Sequence, residues 1–322
     1  MYICPEKQSE LAKTYDSGYI DEVIIDNPAV LNQNSVLKAI MSSINKKYNV
    51  ELLVNLRCLP LGHCKYSKAH YYLSKNIKAK EKITSVIDFT DGYKEFQLLP
   101  FDTVYKTKTP DLFEIEHRRK FFEKAFDVSI PENIKTDLPI LVNLNKFYIT
   151  ISLFATTNTR MYSFENWKII INKILDLYKC DENFELIFLG SKKESILIDE
   201  FIYGLNNPQV CKNLAGRISL GVVPEILRNS KLLLSVETGT VHIAKAVGCP
   251  VICISNGMYW GHYQPYPDGS VEYIYPQKFI SLLKQADLQT LKELYIFNNS
   301  IDINSIDPYS VINLLENTLK IN

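Results

Sequence analysis

Ser235-Val236-Glu237-Thr238-Gly239-Thr240-Val241-His242-Ile243-Ala244-Lys245-Ala246-Val247-Gly248-Cys249-Pro250 is the stretch from which the rest of this chain is read. It follows Leu232-Leu233-Leu234, an apolar run too short for a helix and bounded by turn residues, which fits a central strand. Thr238 or Thr240 stands where a helix cap is needed, Gly239 lets the backbone come close to a ligand, and Gly248 ends the helix ahead of Pro250. A helix opening at a Thr-Gly-Thr turn offers unpaired backbone N–H groups and the positive end of its dipole, a combination that holds a phosphate or diphosphate. Pro250-Val251-Ile252-Cys253-Ile254 then completes a strand–helix–strand unit, whose loops gather at the carboxyl ends of parallel strands.

The same alternation runs through most of the chain and predicts parallel sheets with crossover helices. In the first half, Glu22–Asp26, Glu51–Asn55 and Ile83–Asp88 read as strands, with helices near Glu6–Tyr15, Ser35–Lys47, Tyr66–Lys78 and Asp111–Phe126. Residues 127–140, with Pro131, Pro139 and several charges, read as a connection between domains covering 1–135 and 140–322. Beyond it come strands at Phe147–Leu153, Phe184–Leu189 and Cys211–Leu214, and helices at Phe164–Tyr178, Lys193–Tyr203 and Val222–Arg228. A closing amphipathic helix is expected at Asp307–Lys320.

Composition narrows the class. A chain of 322 residues accommodates two domains of ordinary size, and 46% hydrophobic residues is typical of a soluble globular protein. No apolar run reaches membrane-spanning length, and the N-terminus has neither the apolar core nor the cleavage site of a signal peptide, so a cytoplasmic location is expected. The 36 basic and 36 acidic side chains cancel, which argues against nucleic acid, a partner that requires a basic footprint. Lys65, Lys68, Lys75, Lys78, Lys80 and Lys82, interleaved with Tyr66, Tyr71, Tyr72 and Leu73, read as a lysine-rich helix and turn. That face is either solvated or a contact with anionic lipid of the inner membrane or a phosphorylated glycan. Seven cysteines without regular spacing are expected to be reduced, with Cys249 and Cys253 packed as small apolar groups. Cys58, His63, Cys64 and His70 match no common zinc spacing, so no metal is expected.

Four segments, in order, carry a family resemblance. Glu237-Thr238-Gly239-Thr240-Val241-His242 resembles the Asp-(Ser/Thr)-Gly-x-x-His signature of glycosyltransferase family 9, the heptosyltransferase-like enzymes of lipopolysaccharide assembly. Asn213–Leu220 resembles that family's Leu-x-Gly-x-(Thr/Ser)-Leu segment. Thr156 through Trp167 resembles its Lys-x-Trp-Pro stretch, with Arg160 at the basic position. Trp260-Gly261-His262-Tyr263-Gln264-Pro265-Tyr266-Pro267 is similar to a Phe-Gly-Arg-Phe-x-Pro-Tyr-Pro loop of one branch. The resemblance runs over residues 147–267 and is pattern-level before them. It implies the GT-B architecture: an α/β chain of two doubly wound, Rossmann-like domains facing across a cleft, acceptor-side first and nucleotide-sugar-binding second. It also implies a first domain short at its N-terminus. The family's first domain opens with a strand, a Gly-Asp loop and a helix, about 30–40 residues, ahead of a strand resembling Met1–Cys4. The Asp of that loop is the family's general base, and no residue here aligns with it.

The resemblance distributes roles over the second half. Thr238, Gly239 and Thr240 would grip the leaving diphosphate, with Thr156 and Arg160 adding hydroxyl and guanidinium contacts. Glu237, replacing Asp, would face the donor sugar in a reshaped pocket or else stand solvated. His242 is either a diphosphate contact or a structural helix residue. Glu194 would reach the nucleotide ribose, and Gly257 and His262 would border the donor. Asp91 is a carboxylate candidate on the acceptor side, or simply a turn residue; Trp167 reads as core. Inverting transfer needs a base for the acceptor hydroxyl and charge stabilisation for the diphosphate. The expected activity is transfer from a nucleotide-diphosphate sugar to a lipopolysaccharide or other glycan or glycolipid acceptor, without metal or further cofactor. An inactive nucleotide- or glycan-binding relative and a sugar-nucleotide epimerase are the alternatives. A dehydrogenase is disfavoured, since no Gly-x-Gly-x-x-Gly turn is present.

Overall fold

A computed structural model describes residues 2–5, 23–26, 34–56, 67–87, 98–107, 114–131, 147–261, 263–285 and 301–319. The expected helix Glu6–Tyr15, together with Cys58, His63, Cys64, Asp91 and His262, lies outside the described residues. The chain divides into two compact units, Met1–Glu132 and Asn133–Asn322.

In the first unit, strands β1 (Tyr2–Pro5) and β2 (Val23–Asp26) pair in parallel. A separate parallel sheet places β4 (Ala79–Ile87) between β3 (Val50–Asn55) and β5 (Thr103–Thr107). Helices α1 (Asn34–Lys47), α2 (Ser67–Asn76) and α3 (Glu114–Phe126) accompany them. Met41 and Ile44 on α1 meet Leu73 on α2 and Ile77 just past its end, so one apolar side of each helix faces the other. β4 begins at Ala79 rather than at the expected Ile83, which places Lys80 and Lys82 in the sheet, with Lys80 still exposed to solvent. Both find partners there. Lys80 Nζ lies 2.7 Å from the Glu51 carboxylate of β3, and Lys82 Nζ donates to the Ser74 carbonyl at 2.9 Å. Burial pushes the Lys82 ammonium below its usual pKa, against the pull of Asp102. The lysine-rich face of the sequence is thus split between a helix and a strand.

The second unit holds one six-stranded parallel sheet: β6 (Phe147–Ser152), β7 (Phe184–Phe188), β8 (Cys211–Asn213), β9 (Leu233–Val236), β10 (Val251–Ile254) and β11 (Val271–Ile274). Across the sheet the order is β8-β7-β6-β9-β10-β11. Counted from β6 this is 3-2-1-4-5-6, the doubly wound order whose winding reverses between β6 and β9, and ligands bind beyond the strand ends at such a reversal. The helices are α4 (Phe164–Leu177), α5 (Ser195–Tyr203), α6 (Val223–Asn229), α7 (Gly239–Ala246), α8 (Gln277–Gln285) and α9 (Pro308–Leu319).

β9 and β10 are buried along their whole length, as parallel strands covered on both faces must be, which is why they read as unbroken apolar runs. Trp167, Ile170, Ile171 and Ile174 of α4 and Val311, Ile312 and Leu315 of α9 pack into the same core. Each such side chain contributes about 1.5–3 kcal/mol on burial, so the strand ends carrying the switch-point loops are rigidly held. Trp167 is fully buried, as expected, and so are the Cys249 and Cys253 thiols. Burial pushes Cys249 up to about 12. β5, β11 and α8 have no counterpart in the sequence reading. Both strands lie at sheet edges, where polar and apolar residues mix and the run that betrays a central strand is missing. Among the described residues no helix is long and apolar enough to cross a membrane.

Candidate functional site

α7 starts directly beyond β9 with Gly239 as its first residue and Thr238 at the N-cap, in extended backbone. The Thr238 side chain makes no capping bond, and the Thr240 hydroxyl donates to Ser152 Oγ at 3.2 Å. Neither threonine hydroxyl therefore caps the helix, contrary to the sequence reading. The Val241 amide is taken by the Thr238 carbonyl, while the Gly239 and Thr240 amides have no acceptor among the described residues. A Cβ placed on Gly239 would meet nothing within 4 Å. The helix mouth is thus open, carries two free donors, and concentrates the positive end of the dipole.

Arg160 reaches this mouth from the turn after β6. Its Nε donates to Thr157 Oγ1 at 3.0 Å, and Nη1 donates to the Glu237 carbonyl at 3.2 Å and faces the Glu237 carboxylate at 3.4 Å. Arg160 is not a surface side chain, with 12% exposure, and Glu237 is not solvated, with 6%. Gln264 Nε2 donates to the second Glu237 oxygen at 2.7 Å and also to the Met258 carbonyl; the Ser255 hydroxyl stands 3.5 Å from the same oxygen. Burial pushes the Glu237 carboxyl up to about 7, against the opposing effects of Arg160, Gln264 and Ser255. Tyr259 lays its ring 5.5 Å from the guanidinium carbon. Its φ of 64° is a left-handed conformation that costs a residue with a Cβ about 1–2 kcal/mol.

The other sequence candidates are placed differently. His242 Nδ1 lies 2.6 Å from the Tyr266 hydroxyl, and the ring packs edge-on to Tyr263 and Tyr266. Burial lowers its pKa, so it is neutral at pH 7. Its Nε2 has no partner among the described residues. Glu194 turns back on its own loop, where its carboxylate accepts from the Ser191 amide at 2.6 Å. Gly257 is buried with φ 85°, and a Cβ there would stand 2.4 Å from the Phe279 ring, so packing demands its glycine. Thr156 is exposed beside the Arg160 turn. Among the described residues, no group of three or more His, Cys, Asp or Glu could hold a metal ion.

A sheet of this order with a bare helix mouth and a buried Arg–Glu pair at its reversal invites comparison with known proteins. The profile of glycosyltransferase family 9 (heptosyltransferase) matches residues 66–269, well over half of the chain. The chain belongs to glycosyltransferase family 9. Over 72 residues it is 29% identical to the lipooligosaccharide heptosyltransferase 2 of Haemophilus ducreyi, a stretch covering 22% of this chain and only 21% of that relative's length. Among solved structures, a family 9 glycosyl transferase from Veillonella parvula matches 100% of this chain and 88% of its own, with TM-score 0.73 and 14% identity. The E. coli heptosyltransferase WaaC with ADP matches 98% of this chain and 89% of its own, with TM-score 0.71 and 15% identity. These likenesses give this family 9 chain the GT-B fold.

The family motif led to Arg160, Glu237 and Gly239 but not to Gln264, Ser255 or Tyr259, which complete the cluster. One signal was available for Gln264: it is an amide within the aromatic loop Tyr259-Trp260-Gly261-His262-Tyr263, ahead of Pro265. Nothing local indicated which group it would meet.

Proposed function

We propose that this chain transfers a sugar from a nucleotide-diphosphate donor to a lipopolysaccharide-type or other surface glycan, with inversion and without a bound metal. The carrying observation is the open mouth of α7 beside Arg160 at the sheet reversal of a family 9 chain. In such a transfer the bond from the anomeric carbon to the diphosphate breaks while the acceptor oxygen attacks from the opposite face. Negative charge then grows on the leaving diphosphate. The Gly239 and Thr240 amides, the α7 dipole and Arg160 would meet that charge as it develops. Each such donor is worth roughly 10²–10³ in rate when it meets the developing charge. Arg160 has its Nε and Nη1 occupied by protein, which leaves Nη2 for the phosphate oxygens. Glu237, one methylene longer than the family's Asp and held by Gln264, would present its carboxyl group to the donor sugar.

Calorimetric titration with a panel of nucleoside diphosphates tests the reading. ADP comes first, because WaaC was solved with it. Binding of one member followed by glycosyl transfer to a truncated lipopolysaccharide supports the proposal, and the absence of binding across the panel would sink it.

A further inference from the structure

Glu237 would share its cation with an anion bound at the α7 mouth. Arg160, from the turn after β6, is the cation that faces it among the described residues. Cys253 of β10, Tyr273 of β11 and Tyr275 just past that strand are its other titratable neighbours among the described residues. Burial raises the pKa of all three, so they are neutral near pH 7. On α7, His242 is directed to Tyr266, and Lys245 pairs with Asp268 at 3.2 Å. A diphosphate bound at Gly239 and Thr240 would therefore set fresh negative charge beside a buried carboxylate and would also claim Arg160, which faces it. Both changes disfavour the ionised acid. The neutral acid fits the pocket equally well, since one carboxyl oxygen still accepts from Gln264.

We propose that binding of a nucleotide-diphosphate sugar draws one proton from solution onto the Glu237 carboxylate as Arg160 shifts its charge to the diphosphate. The inference rests on the donor reading above. Covalently only an O–H bond forms, on Glu237, and the proton comes from buffer. Free Glu237 is already poised to titrate near neutrality, at about 7. Donor affinity then declines as pH rises, because each site must recruit a proton that becomes scarcer.

The test is titration calorimetry of the intact chain with ADP-glucose, GDP-mannose and UDP-glucose. Their diphosphates are esterified at both ends and carry no group that titrates near neutrality. Repeating each titration in buffers of different ionisation heat counts the protons exchanged. The expected result between pH 8 and 9 is uptake approaching about one proton per site, with affinity falling about tenfold per pH unit. In Glu237→Gln both the uptake and the pH slope disappear. An infrared difference spectrum of the parent gains a protonated-carboxyl band on binding, a readout that does not depend on the variant folding. Binding by the parent without proton exchange, or uptake that persists in Glu237→Gln, overturns the inference and leaves the donor reading standing. Failure of the three sugars and of the nucleoside diphosphate panel alike removes the donor reading, and the inference with it.

Discussion

Two turns in one sheet each present a glutamate at the step from strand to helix, and the structure treats them differently. After β7, Glu194 stands at the N-cap of α5 but makes no side-chain bond to that helix; its carboxylate folds back to accept from the Ser191 amide of its own turn. After β9, Glu237 points away from α7 and is buried against Arg160, which arrives from the turn after β6, and against Gln264. The chemistry of the residue is the same. What differs is the gap it borders: β7 lies between β6 and β8, within one half of the sheet, whereas β9 and β6 flank the reversal of winding. At that reversal neighbouring loops diverge and leave space that a side chain from another segment can enter. A carboxylate's role here follows from its strand gap rather than from its local sequence.

The sharpest way to break this contrast is the pH dependence of stability. Glu237 is raised from an ordinary 4.5 to about 7 by burial. A carboxyl raised on folding contributes its full stability below its unfolded value and loses it as pH climbs through the folded value. Glu237→Gln imitates the neutral acid, so its unfolding free energy should gain on the parent's by about 3 kcal/mol between pH 4.5 and pH 8. Denaturant melts at the two pH values measure it, and a constant difference would mean that Glu237 is not held in a desolvated site.

Arg160→Ala comes next. It removes a charge-assisted donor from the mouth, and nucleoside diphosphate affinity should fall by about 2 kcal/mol, roughly 30-fold, in a calorimetric titration. Gly239→Val tests the same mouth from the backbone side. The added side chain projects into open space, so the thermal midpoint should hold while nucleotide binding weakens. Equal binding by both variants would move the site elsewhere.

Glu194→Ala supplies the opposite arm of the comparison: a loss of about 1 kcal/mol in stability, as for one hydrogen bond removed from a turn, with unchanged nucleotide affinity. A loss of binding there would merge the two turns into one site. The smallest effect is expected from Thr238→Ala, within about 0.5 kcal/mol in a chemical melt, because its hydroxyl caps nothing.

Strand and helix alternation, the strand–turn–helix at residue 239 and the buried place of Trp167 were all legible from residue order. Each depends on periodicity or turn chemistry over a few neighbours, interactions that act along the chain before it closes. The edge strand β11 escaped because its mixed pattern carries no such signal. Closure of the sheet supplied the rest: Arg160 and Glu237 are 77 positions apart, and Gln264 is 27 beyond Glu237. Strand order brought them together, and burial then altered what they are chemically, turning an ordinary glutamate into an acid poised near neutrality. Desolvation is a property of the packed surroundings, which no local run of residues encodes.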